Sequence, residues 1–275
     1  MIQVAGRRFD IAPMKSEYGE NSVQYQVLQK MNQSSAVYSF SSIGELRFML
    51  TMRKDTVEAA RLQNKSGLRF AIFHDAFCNE QYWQRTSNGG FQLKRGAVPS
   101  EAILDIFKNG RLYGTECATA MVIIIYKAVL EAYGTDLFNR TFRNIYLMDW
   151  TIRQPLLQEI GTPKPAADIL LGDRVYFANP QVSPDTSWWR GENVIVLPEG
   201  LYYGHGIGIQ NAENIIKSLN RNRIPDATQS AYLMDKAARP NYKKLFDVWQ
   251  NNQRASGPLV WDFPHATPAR TSQIR

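Results

Sequence analysis

Residues 113–134 read YGTECATAMVIIIYKAVLEAYG and carry one of only two cysteines in the 275-residue chain. From residue 117 to 133 apolar side chains fall on nearly every side of a helical projection, so a helix buried in the core is expected there. Its first residue would be Cys117. Unpaired amides and the dipole at a helix N-terminus favour a thiolate, and Gly114 and Thr115 supply a turn that can present the side chain. Glu116 adjoins the thiol, a charge out of place against an apolar helix unless a cleft opens there. Against a nucleophilic role stands the usual fate of free cysteine, which is inert packing. The residues of this stretch leave both readings open.

The chain as a whole narrows the choice. With 44% hydrophobic and 21% charged residues, it has ordinary globular composition and enough length for a substantial core. The net charge is +7, yet the basic residues form no run longer than two (Arg7-Arg8, Lys94-Arg95, Lys243-Lys244). No polybasic or RNA-binding aromatic motif appears, which argues against nucleic acid and leaves an acidic protein partner as the reading of the charge. The N-terminus lacks the apolar core of a signal peptide. The apolar run at residues 120–126 stops at Lys127, short of a membrane span. Two cysteines make no disulfide framework. A soluble protein of a reducing compartment is expected.

Ser42 and Glu45 fit a capping box at the head of a helix ending near residues 64–67. LRFAIF, at 68–73, then reads as a buried strand. Pro99 opens a short helix that stops at Asn109-Gly110. DRVYFANP, ENVIVL and LYYGHGIGI read as three strands, AENIIKSLNRN as a helix and SAYLMDKAA as another. The fold class is therefore α+β, a single compact domain in which a buried cysteine-bearing helix packs on a mostly antiparallel sheet. Residues 1–250 are expected to form the domain, and 251–275 a flexible polar tail with Trp261 and Phe263 as a docking spot.

A thiol nucleophile needs a base, and the candidates cluster at 188–209, WWRGENVIVLPEGLYYGHGIGI. Glu192 follows a glycine at the mouth of an apolar strand; taken alone it reads as a solvated strand end. His205 lies between two glycines; taken alone it reads as a core histidine bonded to a carbonyl. The order of elements favours function, since a cysteine at a helix start followed by a histidine-bearing β region is the papain-like arrangement. His74 and Cys78 are four residues apart, but two ligands do not hold zinc, and Cys78 reads as a packed thiol. With three histidines, no CxxC and no calcium-loop pattern, no metal site is written in the sequence.

ECATAMVIIIY, MDW, LLGDRVYFANP, WRGENVIVL and YYGHGIGI together closely resemble the small spore-coat transglutaminases of bacilli, from the N-terminus to about Leu245. The resemblance implies a protein-glutamine γ-glutamyltransferase with a papain-like or NlpC-like fold, no cofactor and no calcium. It places the nucleophile on Cys117, the main acidic partner on Glu192, a partly substituting glutamate on Glu116 and the family histidine on His205. Glutamine- and lysine-donating coat proteins would be the partners of a monomer made in the cytoplasm and assembled into the spore coat. Shielding of a thioester from water would fall to Trp150 and Trp189, whose alternative is ordinary packing. A thiol amidase or peptidase, and a non-catalytic coat scaffold, remain the rival functions.

Overall fold

The computed structural model describes residues 1–255; Trp261 and Phe263 lie outside the described residues. Two helices, α1 (Ala12–Tyr18) and α2 (Val23–Gln33), lead into α3 (Ile43–Ser66). Ser42 starts α3 as its sequence implies: its hydroxyl accepts from the Glu45 amide at 3.1 Å. The Glu45 carboxylate reaches back to the Ser41 amide at 2.7 Å, one residue earlier than in the usual box. Gly67 ends the helix in the left-handed region, with φ 83°. Pro99 begins α4 (Pro99–Lys108), where its missing N–H costs nothing.

Helix α5 (Cys117–Thr141) is the axis of the molecule. Its regular part stops at Tyr133, because Gly134 takes φ 72° and breaks the winding. By length and composition α5 could cross a bilayer, but it is mostly buried inside the protein. One side packs Val122, Ile123 and Tyr126 into a core shared with α4. Another packs Ala120, Met121 and Ile124 between Ala59 and Ala60 of α3 and the sheet residues Ile195 and Tyr203. Each isoleucine so buried contributes about 2 kcal/mol. This two-sided burial leaves the first turn of α5 little freedom to move.

The main sheet has strands β1 (Arg174–Ala178), β2 (Gly191–Val196), β3 (Leu201–Gly204), β4 (Gly208–Asn211) and β5 (Tyr232–Leu233). Their order is β4-β3-β2-β1-β5, antiparallel throughout. Helix α6 (Ala212–Asn220) closes the outer face with Ile215 and Leu219. Helix α7 (Tyr242–Ala255) docks Leu245 and Phe246 beside Phe48 of α3. The α+β fold with its cysteine-bearing helix against an antiparallel sheet is the one the sequence implies.

Four local expectations change. LRFAIF forms a strand only at Arg69–Phe70, paired in parallel with Gly114–Thr115; α5 begins two residues after that pair and removes further partners, and Phe70 stays 42% exposed. LYYGHGIGI is a hairpin, because Gly206 and Gly208 have φ 99° and 75° and turn the chain at His205. SAYLMDKAA does not wind: Tyr232–Leu233 pairs with the edge of β1, and Lys236–Ala237 forms a two-stranded pair with Lys164–Pro165. The expected start of the tail, residue 251, falls inside α7.

A buried ion pair joins α3 to the sheet. Arg53 Nη1 donates to Asp173 Oδ1 at 2.9 Å and to the Leu171 carbonyl at 2.7 Å. Arg239 donates to Asp173 Oδ2 at 2.6 Å, and the Leu170 amide to the same oxygen at 2.9 Å. Replacing the carboxylate strands a fully buried guanidinium. Asp173→Ala should lower unfolding stability by about 3–5 kcal/mol in urea titrations; a loss below about 1 kcal/mol would mean that the clamp is not holding α3 to the sheet.

Candidate active site

Cys117 sits at the first position of α5 and keeps partial solvent exposure. Glu116 is the N-cap of the same helix. Its carboxylate accepts from the amides of Ala118 and Thr119, the latter at 2.8 Å. The Thr119 hydroxyl also donates to it and, in turn, accepts from the Asp149 amide at 2.7 Å. The MDW segment is thereby tied to the first turn. The charge that looked out of place beside an apolar helix thus satisfies two of its orphan donors. Those amides are no longer free for an oxyanion.

Glu192 and Asn193 lie side by side on β2, every residue of which is buried. Glu192 is pushed well above the usual carboxylate range, first by burial and then by the charge of Glu116. The backbone amide of His205 donates to it and partly opposes that shift. Its Oε1 has no protein partner among the described residues. Space for the carboxylate exists because residue 204 is glycine: a Cβ there would lie 2.8 Å from Glu192 Oε1. The Cys117 thiol is pushed up to about 12, chiefly by burial, then by the charges of Glu192 and Glu116. The sequence expectation of a helix-stabilised thiolate is reversed. The N-terminal dipole is already answered by Glu116, and two carboxylates face a desolvated sulfur. Cys117 rests as a thiol.

His205 is brought to Glu192 through its backbone. Its ring Nε2 lies 3.1 Å from both the Arg69 and Thr115 carbonyls. Carbonyls only accept, so Nε2 carries the proton and Nδ1 does not. Burial lowers its pKa from 6.5, and the ring is neutral at pH 7. The two carbonyls come from the short parallel pair Arg69–Phe70 and Gly114–Thr115. His205 therefore ties three segments together at the thiol's back.

Trp189 lines a cavity of about 150 Å³ together with Phe70, Trp188, Glu192, His205 and Ile207. Glu192 is common to both environments, lining the cavity and acting electrostatically on the thiol. Trp150 does not line that cavity: its indole lies 4.3 Å under the guanidinium of Arg174. Sequence reasoning missed Asn193, whose side-chain Nδ2 lies 3.5 Å from Cys117 Sγ and whose backbone N–H also favours a thiolate. The signal was available, since a second polar residue directly after Glu192 in a wholly apolar strand demands a buried partner. Cys78 is partly buried, with its thiol raised to about 11 by desolvation, while exposed His74 pairs with Asp75 at 2.9 Å. Those two residues form no site together.

The fold and this geometry define an α+β protein with a thiol and two carboxylates gathered between a core helix and a sheet. A family model described as protein-glutamine gamma-glutamyltransferase matches residues 1–249. The protein of that name from Halalkalibacterium halodurans is 46% identical over 239 residues, 87% of this chain and 82% of its own length. That from Bacillus mycoides is 50% identical over 210 residues, covering 76% of this chain and 75% of its own. Among solved structures, a transglutaminase from Geobacillus stearothermophilus without its C-terminal extension matches with TM-score 0.71 and 44% identity. That match covers 76% of this chain and 98% of the other. The chain belongs to the protein-glutamine gamma-glutamyltransferase family, and it is an acyltransferase of that kind.

Because the fold raises Glu192 above its unfolded value, its contribution to stability has a definite sign. It is complete below the unfolded pKa of about 4.3 and is lost as pH rises through the raised folded value. Glu192→Gln removes that loss. In thermal melts from pH 5 to 9 the variant should gain on the wild type as pH rises, by about 2–4 °C for each kcal/mol. A constant offset between the two curves would contradict a raised Glu192.

Proposed function

We propose that this enzyme joins glutamine and lysine side chains by a two-step acyl transfer through a Cys117 thioester, without calcium. The carrying observation is the placement of Cys117 at the head of α5 against buried β2, with Asn193 Nδ2 3.5 Å from its sulfur and Glu192 the next residue on that strand. In the first step Cys117 Sγ attacks the γ-carbonyl of a substrate glutamine, and its proton passes to the ionised carboxylate of Glu192, whose raised pKa suits a general base. The tetrahedral intermediate collapses; the C–N bond breaks, Glu192 returns the proton to nitrogen, and ammonia leaves. A lysine amine then attacks the thioester, gives a proton to Glu192 and forms the isopeptide as the thiol is restored. The balance is one amide and one amine in, one isopeptide and one ammonia out. Glu116, held by backbone amides, acts chiefly as a fixed negative neighbour that raises Glu192, with a partial share of the base role when Glu192 is absent. His205 positions Glu192 through its backbone and remains neutral.

An amine must outcompete water for the thioester. Trp189, in the wall of the cavity that reaches Glu192, supports a shielded acceptor path; Trp150 supports it on the Arg174 side. On the resemblance to spore-coat transglutaminases, the substrates are coat proteins. The enzyme acts as a monomer, is made in the cytoplasm and ends in the coat. Calcium independence is taken from the same resemblance, and EDTA in the assay tests it.

Full-length protein incubated with a glutamine-rich protein, a fluorescent primary amine and EDTA should incorporate the amine. Cys117→Ala should lose about 10³-fold or more of that rate, as nucleophile removals do. Dependence on calcium, or retained transfer without the thiol, would overturn the reading. Ammonia release without amine incorporation would make it an amidase. Trp189→Ala should raise free glutamate relative to isopeptide severalfold, and an unchanged ratio would remove the shielding role.

A further inference from the structure

Arg174 of β1 is 5% exposed, yet no carboxylate pairs with it among the described residues. Its Nη1 donates to Asn193 Oδ1 at 2.8 Å and its Nη2 to the Ile160 carbonyl at 3.0 Å. Its face covers the Trp150 indole, and its Nε has no protein partner. A buried cation without a counter-charge is costly, so some anion at this place would relieve it. The strand register explains how it reaches the site. Tyr176 pairs with Asn193 and Arg174 with Ile195, which sets Arg174 diagonally beside Asn193 on one sheet face.

The contact also decides the orientation of the asparagine. A guanidinium can only donate, so the group facing Arg174 must be the carbonyl oxygen of Asn193. Its NH₂ is then turned to the Cys117 sulfur, 3.5 Å away. We propose that Arg174 is a positioning residue for the transfer reaction: it locks the Asn193 amide with its donor on Cys117, and its fixed charge offsets the negative charge that develops there. The inference rests on Cys117 as the nucleophile. Asn193 then supplies a donor at the reacting centre that the first-turn amides, taken by Glu116, do not.

The titratable groups that act on Cys117 or face it are mostly acidic. Glu116 and Glu192 oppose a thiolate, Tyr176 on β1 interacts with the same charge, and His205 is neutral. Arg174 is the cation set against them; burial lowers it to about 10, which leaves it charged at neutral pH. The thiolate in turn raises Arg174, as mutual stabilisation requires.

The test compares wild type, Arg174→Met, Arg174→Lys, Asn193→Ala and the Arg174→Met/Asn193→Ala double variant. The readouts are steady-state transfer and the pH profile of iodoacetamide labelling at Cys117. Arg174→Met should lower kcat about ten- to a hundredfold, the scale of a hydrogen bond to a charged group, with KM within about twofold of wild type. Its labelling profile should move to higher pH. Arg174→Lys should restore the labelling profile by keeping the charge, but not the full kcat, because a single ammonium lacks the fork that holds Asn193. The double variant should lose less than the product of the two single losses, because the positioning share of Arg174 acts only through Asn193. Wild-type kcat and labelling in Arg174→Met, or losses that multiply in the double variant, would overturn the proposal. Should Arg174→Met not fold, Arg174→Lys decides, and undiminished kcat there overturns it. Absence of Cys117-dependent transfer in the wild type would instead defeat the function proposed above.

Discussion

A thiol and a carboxylic acid are held out of water together where the first turn of α5 meets β2. Desolvation raises both, and the charge of Glu192 raises the thiol further. The thiol therefore keeps its proton until the attack, in contrast to enzymes that keep a thiolate–imidazolium pair. A protonated thiol disfavours adventitious alkylation and oxidation, since the thiolate is the reactive form. It also makes proton removal part of the attack on substrate, where Glu192 can take the proton and return it without leaving the cavity.

Much of the fold serves to keep that pair in register. Burial of α5 between α3, α4 and the sheet fixes the sulfur along one direction. The Arg53–Asp173 clamp fixes α3 against the strand that precedes β2. At the back, His205 bridges the Arg69 and Thr115 carbonyls, so the hairpin that carries it cannot drift from the start of α5. Gly204 leaves the pocket into which Glu192 folds; an alanine there would push the carboxylate aside with no change in charge. Each contact is ordinary, but together they place one sulfur, one carboxyl and one amide donor in a common seam.

The large periodic elements were legible in the sequence because periodicity reports burial. Helix α5 began at Cys117 and lost regularity after Tyr133, as its apolar pattern implied, and α3 and α4 followed their caps. The strands in DRVYFANP and ENVIVL were legible for the same reason. Misreadings came where pairing opportunity outweighed local pattern: LRFAIF ran out of partners, SAYLMDKAA met two strand partners, and two glycines bent LYYGHGIGI into a hairpin. At the site, Cys117 and Glu192 stood out as polar residues against apolar elements. Glu116 stood out too, but its capping role depends on backbone amides that sequence does not display. Arg174 escaped notice because its meaning lies in cross-strand register, a diagonal contact with Asn193 between segments nearly twenty residues apart.

Acid-quenched intact-mass analysis, with a glutamine-bearing donor and no amine acceptor, bears most directly on a Cys117 acyl-enzyme. Quenching during turnover should trap one donor per enzyme, with loss of one ammonia, on the peptide containing Cys117, and hydroxylamine at neutral pH should release it. An adduct on any other residue, or ammonia released through many turnovers with no adduct under conditions that preserve thioesters, would contradict the account.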